Sequence, residues 1–305
     1  MSKKIIVTTT INPPTEATLK FCQKPGWEFI IVGDKKTPHA AYEALQKQYP
    51  HVLYMSPEMQ EKNYKELSDI IGWNSIQRRS VGLIEAYKRG VEILATVDDD
   101  NIPYADWGEN VTVGKEIDVD CYTAENGFFD PLSITNVSHL WHRGYPVDHV
   151  STKNRVTYLG KIKRKVLVQA DLWDGDPDID AMARITYRPI VKFTVKDMYC
   201  SRDVSPFNSQ NTFIDRSVIP HYMVLPHTDR MDDIWASYMI QKKFPHSVVY
   251  APASVYQARN VHNLITDLKN EIIGYTNTLN FIGGTYQLPE MAQKAYDVYC
   301  RYFKS

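Results

Sequence analysis

In the first hundred residues, segments with the hydrophobic pattern of a helix alternate with segments that have the pattern of a strand. Residues 91–97 are almost all apolar, which predicts a buried strand of a parallel sheet. Upstream, apolar residues recur at helical spacing and predict a helix over 75–89. Asn74 and Gln77 have the spacing of a capping box at the start of this helix, and Gly90 is a C-terminal stop signal. A helix that leads directly into a buried strand is typical of an α/β fold.

The chain begins with the same alternation. Residues 4–10 and 27–32 are rich in β-branched and apolar side chains and predict two strands, with a short helix over 15–21 between them. The loop that follows the first strand, 11–14, lacks the glycines of a dinucleotide-binding fingerprint, and the sequence contains no GxxxxGK phosphate loop. These absences argue against a nicotinamide-dependent enzyme and against a P-loop NTPase.

From residue 132 onward, the pattern changes to short strands separated by polar, proline-marked loops. The elements predicted there are strands at 155–159, 165–169 and 247–250 and a helix over 234–243. We therefore predict one domain, 1–305, built around a mixed central sheet. Its first half (1–130) is α/β, and its second half (131–305) is richer in strands.

Three consecutive aspartates, Asp98, Asp99 and Asp100, follow the predicted strand at 91–97 directly. Open α/β sheets bind ligands just beyond the carboxyl ends of their strands, so this is the position of a ligand site. Neighbouring carboxylates repel one another unless a cation neutralises them, and hard oxygen ligands suit Mg²⁺ or Mn²⁺ together with phosphate oxygens. The position favours a metal–nucleotide site. A solvated acidic turn is the alternative.

Composition restricts the remaining possibilities. With 305 residues and 43% apolar content the chain can bury a large core, and its net charge of −1 provides no field for nucleic acid or for an anionic membrane. The four cysteines are far apart and form no CxxC pair, which argues against zinc and favours free thiols. The sequence has no signal peptide and no apolar run of transmembrane length, so we expect an intracellular, cytoplasmic protein.

Seven segments carry recognisable motifs, and these are 33–38, 79–82, 98–100, 141–146, 171–180, 207–212 and 230–235. The most specific are Arg143-Gly-Tyr-Pro146, Pro177-Asp178-Ile-Asp180 and Asp232-Asp233-Ile-Trp235. In their order along the chain they resemble the motifs of two related plant families. These are the reversibly glycosylated polypeptides, which are UDP-arabinopyranose mutases, and the STELLO-type glycosyltransferases.

The resemblance implies a GT-A type, Rossmann-like fold with a nucleotide-binding half (1–130) and an acceptor-binding half (131–305). It also implies a metal-dependent enzyme with a UDP-sugar donor, Mn²⁺ or Mg²⁺, and a glycan or other hydroxyl acceptor. Two activities fit this resemblance: transfer of the sugar to the acceptor, or interconversion of the pyranose and furanose forms of the UDP-sugar. A non-catalytic sugar-nucleotide-binding subunit is a third alternative.

By resemblance, the donor lies against the first half of the chain. Asp34 is placed near uracil, where a carboxylate can accept the N3–H, although a turn residue is the alternative. Arg79 suits bidentate contact to diphosphate oxygens, with a solvated helix charge as the competing interpretation. Asp98 is assigned to the ribose or the metal, Asp100 to the metal, and Asp99 to either purpose.

Asp232 and Asp233 are the candidates for the base that activates the acceptor hydroxyl. A sugar hydroxyl is a poor nucleophile at neutral pH, so a carboxylate is expected within ~3 Å of it. Both acids open the predicted helix at 234–243, whose N-terminal dipole stabilises an anion. Capping of the helix by Asp232 alone is the alternative.

The segment 171–180 contains five aspartates, but its spacing does not match a calcium loop, because Ile179 stands where glycine is required. By resemblance it binds the acceptor or the sugar, and Trp173 offers an aromatic face; a surface loop with a buried tryptophan is the alternative. The substrate-binding set is completed by Thr8, Asp178, Asp180, Asn208 and Asn211. For the two asparagines, hydrogen bonds to the loop backbone are the alternative to hydrogen bonds with sugar hydroxyls.

Arg143 separates the transferase from the mutase. In the mutase-type proteins the arginine of this motif becomes glycosylated, but residues 147–149 here depart from that pattern. Arg143 is therefore expected to act as a charged residue. The mutase-type sequences also place a histidine after a late strand. His262 is the candidate substitute metal ligand in this chain if the loop is re-routed, and a surface histidine is the alternative. Arg259, nearby, is expected to close over the diphosphate.

Overall fold

A computed structural model describes residues 2–259 and 263–304 of the chain. Within these residues it has eleven strands and eight α-helices, and all the strands belong to one sheet. The strands are β1 (Lys4–Thr10), β2 (Glu28–Gly33), β3 (Val52–Met55), β4 (Ile93–Val97), β5 (Asn101–Pro103), β6 (Glu116–Ala124), β7 (Val156–Lys165), β8 (Val168–Gly175), β9 (Tyr199–Ser201), β10 (Asn211–Asp215) and β11 (Val248–Gln257). The helices are α1 (Glu16–Cys22), α2 (His39–Gln48), α3 (Pro57–Ile71), α4 (Arg79–Lys88), α5 (Ala181–Tyr187), α6 (Asp232–Lys243), α7 (Leu264–Gly283) and α8 (Glu290–Arg301).

The strand order is β3-β2-β1-β4-β10-β8-β11-β9-β6-β7, and β5 pairs with β11 outside this path. Strands β1 to β4 are mutually parallel in the order 3-2-1-4, which is the order of a Rossmann half. Strand β10 runs antiparallel to both of its neighbours, β4 and β8. The predicted fold class, α/β with a mixed central sheet and a Rossmann-like first half, is confirmed.

Alternate side chains of β1 enter two separate hydrophobic cores. Ile5 and Val7 belong to the core on one face of the sheet, and Ile6 belongs to the core on the other face. A strand that is buried on both faces is expected to be apolar at successive positions, as this one is. Helix α4 packs closely against this region, since a Cβ at Gly82 would lie 2.6 Å from Val7 Cγ1 and 2.7 Å from Val32 Cγ2. This close packing holds Arg79, at the start of α4, near the carboxyl ends of the strands.

The predicted helix at 75–89 and its capping box require correction. A 3₁₀ turn, Ile76–Arg78, precedes α4, and Asn74 has a left-handed φ of 58° rather than the extended conformation of an N-cap. The Asn74 side chain accepts a hydrogen bond from the backbone N–H of Lys36 at 3.2 Å. Asparagine tolerates this conformation and competes locally for backbone groups, so the spacing of a capping box occurs here without an N-cap at Asn74.

Other boundaries moved by a few residues. The buried strand predicted at 91–97 is β4, which begins at Ile93, and the strand predicted at 155–159 continues as β7 to Lys165. Helix α6 begins at Asp232, two residues before the predicted start. The four cysteines form no disulfide with one another, as expected. In residues 2–259 and 263–304 no helix combines the length and the apolar character needed to cross a bilayer.

Candidate active site

A cavity of about 510 Å³ opens at the carboxyl ends of β1 and β4. Thr9 and Thr10, from the end of β1, line it together with Asp98, Asp99 and Asp100, which follow β4. In a sheet of order 3-2-1-4 the connections leave β1 and β4 in opposite directions, and ligands of α/β proteins bind at such a switch point. The fold therefore places the three aspartates where a ligand is expected.

We call Asp98, Asp99 and Asp100 the acidic edge. Arg79 Nη2 donates to Asp98 Oδ1 and, at 3.1 Å, to the Val97 carbonyl, while its Nη1 donates to Ser209 Oγ at 2.6 Å. Burial alone favours loss of the Arg79 proton, but the Asp98 carboxylate outweighs burial and raises the pKa of Arg79. Arg79 is therefore a buried, charged residue that positions the first member of the acidic edge.

The second aspartate of the acidic edge is held by the loop after β1. Thr10 Oγ1 and, at 3.0 Å, Asn12 Nδ2 both donate to Asp99 Oδ2. The backbone carbonyl of Asp100 accepts the N–H of Ala258 at 3.0 Å, so the edge is also tied to the end of β11. All three side chains are partly accessible in the cavity.

The donor set of the acidic edge fits a hard divalent cation. Within the described residues no three acidic, histidine or cysteine side chains are grouped to enclose a metal ion. A Mg²⁺-type site that shares its cation with substrate phosphates, however, needs only one or two carboxylates from the protein. Asp100 and Asp98 meet this requirement. His262, the third predicted metal ligand, lies outside the described residues.

A second part of the cavity lining belongs to an ionic network, which consists of Arg143, Asp178, Arg230, Asp233 and Glu271. Arg143 Nε donates to both carboxylate oxygens of Asp178, at 3.1 and 3.0 Å, and its Nη2 donates to Asp178 at 2.8 Å and to Asp233 at 3.0 Å. Its Nη1 donates to the backbone carbonyl of Arg230. All the donor nitrogens of this guanidinium are thus used inside the protein.

Arg230 extends the network to α7. Its Nε donates to Glu271 Oε1 at 2.8 Å, and its Nη1 lies 3.4 Å from Asp267 Oδ1. Glu271 Oε2 in turn accepts the backbone N–H of Ala181 at the start of α5. The network therefore joins four distant parts of the chain around one side of the cavity.

The charges of the network stabilise one another. Burial favours the neutral form of Arg143, yet Asp178 and Asp233 outweigh it and raise the pKa of Arg143 well above its ordinary value. Burial likewise opposes ionisation of Asp178, but Arg143 and Arg259 dominate and hold the pKa of Asp178 well below its usual range. Both residues therefore stay charged at neutral pH.

Asp232 and Asp233 differ although they are adjacent at the start of α6. Asp233 Oδ1 pairs with Arg143, and its Oδ2 accepts from Ser209 N at 2.8 Å, so Arg143 overcomes burial and lowers the pKa of Asp233. Asp232 Oδ2 accepts from Gln77 Nε2 at 2.9 Å, and its Oδ1 lies 3.8 Å from Arg143. Burial, and then the nearby Asp233 charge, raise the pKa of Asp232 to about 8.

The helix-capping alternative for Asp232 is not supported by the contacts. Met231 occupies the N-cap position, and no side chain caps the helix there. Asp232 Oδ1 accepts only the N–H of the next residue, Asp233, at 2.9 Å. Both acids line the cavity, so Asp232 is a buried carboxyl at the candidate site.

Six residues of the predicted substrate-binding set do not line the cavity, and these are Thr8, Asp34, Trp173, Asp180, Asn208 and Asn211. Thr8 Oγ1 donates to the Val97 carbonyl at 2.8 Å and ties β1 to β4. Asp34 accepts the backbone N–H of Lys35 at 2.7 Å and of Ser75 at 3.0 Å, one at each oxygen. Their proposed contacts with a nucleotide stay predictions.

Trp173 is a core residue, since only 3% of it is exposed and its ring packs edge-on to His142 at 5.6 Å between centroids. Asn211 accepts from Trp107 Nε1 at 3.0 Å and donates to Ser254 Oγ at 2.9 Å. Asp180 caps α5 by accepting from Met182 N at 2.8 Å. Asn208 Nδ2 donates to Asp178 at 3.0 Å and supports the ionic network from behind.

Several residues at or near the cavity were not among the predicted site residues. Arg230, Gln77 and Ser209 line the cavity and contact predicted site residues directly. Glu271 lies outside the cavity lining and contacts Arg230. Arg230 and Ser209 lie inside two of the motif segments, so the motifs could have indicated them as site residues. Nothing near Glu271 in the sequence indicates its contact with Arg230. Arg259, expected to close over the diphosphate, lines the cavity with its Nη2 3.7 Å from Asp178 Oδ1.

Comparison with solved structures finds two proteins of weakly similar structure. Glucosyl-3-phosphoglycerate synthase from Mycobacterium tuberculosis, in complex with Mn²⁺, UDP and phosphoglyceric acid, is 11% identical and has a TM-score of 0.49 over 94% of this chain and 80% of that chain. A mannosyltransferase from Pyrobaculum calidifontis, in complex with GDP-Man and Mn²⁺, is 10% identical and has a TM-score of 0.45 over 99% of this chain and 70% of that chain.

Sequence comparison gives a weak but extended similarity, and no family model matches the chain. The probable glycosyltransferase STELLO2 of Arabidopsis thaliana is 23% identical over 283 residues, and STELLO1 of the same plant is 22% identical over 277. The matches cover 82% and 83% of this chain but only 35% of each relative. The predicted resemblance to STELLO-type proteins is confirmed, whereas that to the reversibly glycosylated polypeptides stays a prediction. The chain is thus similar in sequence to two probable glycosyltransferases.

Proposed function

We propose that this protein is a glycosyltransferase of GT-A type that transfers a sugar from a UDP-sugar to a hydroxyl of a glycan or another acceptor. The observation that carries the proposal is the cavity at the carboxyl ends of β1 and β4, where three consecutive aspartates meet a buried arginine. The sequence similarity to the STELLO proteins supports the same assignment.

The acidic edge is the proposed diphosphate end of the donor site. Mn²⁺ or Mg²⁺ held by Asp100 and Asp98 would act as a Lewis acid that offsets the charge on the departing diphosphate. Arg79 fixes the orientation of Asp98, and Thr10 and Asn12 fix that of Asp99. The protein thereby supplies carboxylates whose positions are set before the donor arrives.

Asp232 is the proposed base for the acceptor hydroxyl. A general base works best when its pKa lies near the working pH, and burial raises the pKa of Asp232 to about 8. Asp233 is less suited, because one of its oxygens is bound by Arg143 and the other by Ser209. We therefore assign Asp233 to the orientation of Arg143 rather than to proton transfer.

Arg143 is proposed to organise the wall that carries Asp232. As a covalent sugar acceptor it would have to lose a proton, which its two carboxylate partners oppose by raising its pKa. No contact of Arg143 in residues 2–259 and 263–304 favours a nucleophilic role. The transferase is therefore proposed ahead of the mutase.

The chain is proposed to form one domain, 1–305, with a nucleotide-binding half at 1–130 and an acceptor-binding half at 131–305. The continuous sheet supports this, because β4 of the first half pairs with β10 of the second. Both hydrophobic cores also combine residues of the two halves.

Calorimetric titration with UDP, GDP and CMP, each with and without Mn²⁺, tests the donor assignment. Tighter binding of UDP than of the other two nucleotides, and only with the metal, is the expected result. Release of UDP from a UDP-sugar in proportion to added acceptor would then identify transfer. UDP affinity that is unchanged by Mn²⁺, or absent altogether, would overturn the proposal.

A further inference from the structure

Gln77 connects the first half of the chain to the proposed base. It lies in the 3₁₀ turn Ile76–Arg78 that precedes α4, it is half-buried, and it lines the cavity. Its Nε2 donates to Asp232 Oδ2 at 2.9 Å, although the two residues are 155 positions apart. An ionised carboxylate accepts hydrogen bonds and donates none, so this contact turns the NH₂ group of the amide towards Asp232.

The two oxygens of Asp232 are held by different parts of the molecule. Oδ1 accepts the backbone N–H of Asp233 at 2.9 Å and lies 3.8 Å from Arg143 Nη1. Among the residues that the structure describes, Gln77 is the only hydrogen-bond donor to Oδ2. The peptide of Asp233 and the amide of Gln77 together set the direction of the carboxylate. Of these two contacts, only that of Gln77 can be removed by a side-chain substitution.

The charged and titratable groups around Asp232 are Asp233 on α6, Arg143, Tyr222, and Asp229 and Arg230 of the preceding turn. Burial and then the charge of Asp233 raise the pKa of Asp232, whereas Arg143 lowers it. Burial also holds the pKa of Tyr222 well above its ordinary value, so this phenol stays neutral. A hydrogen bond to the ionised form of a carboxyl favours that form. Gln77 therefore supports the proton-accepting form of Asp232 without adding a charge.

The same turn also reaches the acidic edge. Arg79, two residues after Gln77, donates to Asp98, so residues 77–79 contact both the proposed metal site and the proposed base. We propose that Gln77 is a positioning residue that holds the carboxylate of Asp232 in its proton-accepting orientation. The inference rests on the proposed function, because it takes Asp232 as the base. It adds a residue that acts through Asp232 and not on the substrate.

Three substitutions change this contact in different ways. Gln77→Met keeps the length of the side chain and removes the donor, Gln77→Glu places a second carboxylate there, and Gln77→Lys places an ammonium there. Melting temperatures establish that each variant is folded. The pKa of Asp232 is then measured by NMR on protein labelled with ¹³C at the aspartate carboxyl groups, and Asp232→Asn assigns the signal. This measurement needs neither donor nor acceptor.

The pKa of Asp232 is expected to rise by about 0.5–1 pH unit in Gln77→Met, because the hydrogen bond to the ionised form is lost. It should rise further in Gln77→Glu and fall by about one pH unit in Gln77→Lys, since a like charge opposes ionisation and an opposite charge favours it. A merely structural role of Gln77 would not give shifts of opposite sign. An unchanged pKa, or shifts of one sign in all three variants, would overturn the inference and leave the proposed function intact.

Sugar transfer provides the second measurement. Gln77→Met should lower kcat about threefold to tenfold in the wild-type background and leave the residual rate of Asp232→Asn unchanged, because Gln77 acts only through Asp232. A further fall in the double variant would assign Gln77 to the substrate and overturn the positioning role. Wild-type turnover in Asp232→Asn would instead remove Asp232 as the base, and this inference with it.

Discussion

The two walls of the cavity use the same kinds of side chain but differ in burial. At the acidic edge, Asp98 keeps 25% of its side chain exposed, and Asp99 and Asp100 are also partly accessible. In the ionic network, only 5% of the side chains of Asp178 and Asp233 is exposed. Three acids in a row form one wall, whereas alternating arginines and acids form the other.

Burial explains the different compositions. A buried charge without a partner costs several kcal/mol, so the network is complete in itself and holds its geometry without a ligand. Asp99 and Asp100 are partly accessible to water, whereas burial raises the pKa of Asp98 despite its contact with Arg79. The acidic edge therefore gains by binding a cation. We therefore propose that the edge is the ligand-binding wall and that the network is the preformed frame that positions Asp232.

The largest effect is expected from Asp232→Asn, which leaves both walls in place and removes only the proposed base. Turnover should fall by about 10²–10⁴-fold, the usual contribution of a general base. UDP affinity should stay within about twofold of the wild-type value, because Asp232 is not assigned to the donor. Steady-state transfer rates and calorimetry measure the two quantities.

The pH profile provides a second measurement on the same residue. Only the ionised carboxylate accepts a proton, so transfer by the wild-type protein should rise with pH through the pKa of Asp232, which burial raises to about 8. An acid limb near the ordinary carboxyl value of about 4 would contradict the assignment. Asp233→Asn is the matched control and should mainly lower the stability, because it removes a partner of buried Arg143.

The second effect concerns the network. Arg143→Met should lower the free energy of unfolding by about 3–5 kcal/mol, since Asp178 and Asp233 would remain buried without their cation. Arg143→Lys keeps the charge but loses the bidentate geometry, and should cost about 1–2 kcal/mol. Urea denaturation measures both values.

The same residue provides a test of the mutase. Incubation of the wild-type protein with UDP-glucose should leave its intact mass unchanged, because Arg143 is held protonated by its carboxylate partners. A stoichiometric hexose adduct on Arg143 would overturn the transferase assignment. Equal stability of Arg143→Met and the wild type would show that the network does not act as a frame.

The third effect concerns the acidic edge. Asp100→Asn, or chelation of Mn²⁺ with EDTA, should weaken UDP binding at least about tenfold, which corresponds to ~1.4 kcal/mol. The melting temperature of the metal-free variant should not fall, because one of three neighbouring negative charges is removed. Loss of stability without loss of UDP affinity would assign Asp100 to the fold and not to the donor.

Local patterns predicted the acidic edge better than the network. The apolar run at 91–97 placed three aspartates at the end of a strand, and the fold confirms that position. Arg143 and Asp178 lie 35 residues apart, and Arg143 and Asp233 lie 90 apart, so their pairing depends on how the second half folds. A motif shows that such residues recur together but does not indicate their contacts.

Local sequence patterns also gave wrong predictions where a side chain forms a hydrogen bond with a residue far away in the sequence. Gln77 has the spacing of a capping residue, yet its amide donates to Asp232, 155 residues away. Asp34 and Asn211 are polar residues near strand ends, and both use their side chains to bind the protein itself. Polarity at a strand end therefore indicated proximity to the cavity, but not access to it.

The smallest effect on function is expected from Trp173→Phe. By resemblance this indole offers a face to a sugar, with a buried tryptophan as the alternative, and the structure packs it in the core against His142 and Phe193. The KM for the acceptor should stay within about twofold of the wild-type value, because no sugar can reach the ring. The free energy of unfolding should fall by about 1 kcal/mol, since the smaller ring fills less of the core.

Within the described residues the indole N–H of Trp173 has no hydrogen-bond partner, which limits the cost of its removal. Acceptor KM and urea denaturation of the same preparation decide between the two roles. A KM that rises tenfold or more without loss of stability would mean that the acceptor reaches the ring and that the core around Trp173 opens during the reaction. Burial of a side chain would then not exclude its contact with a substrate.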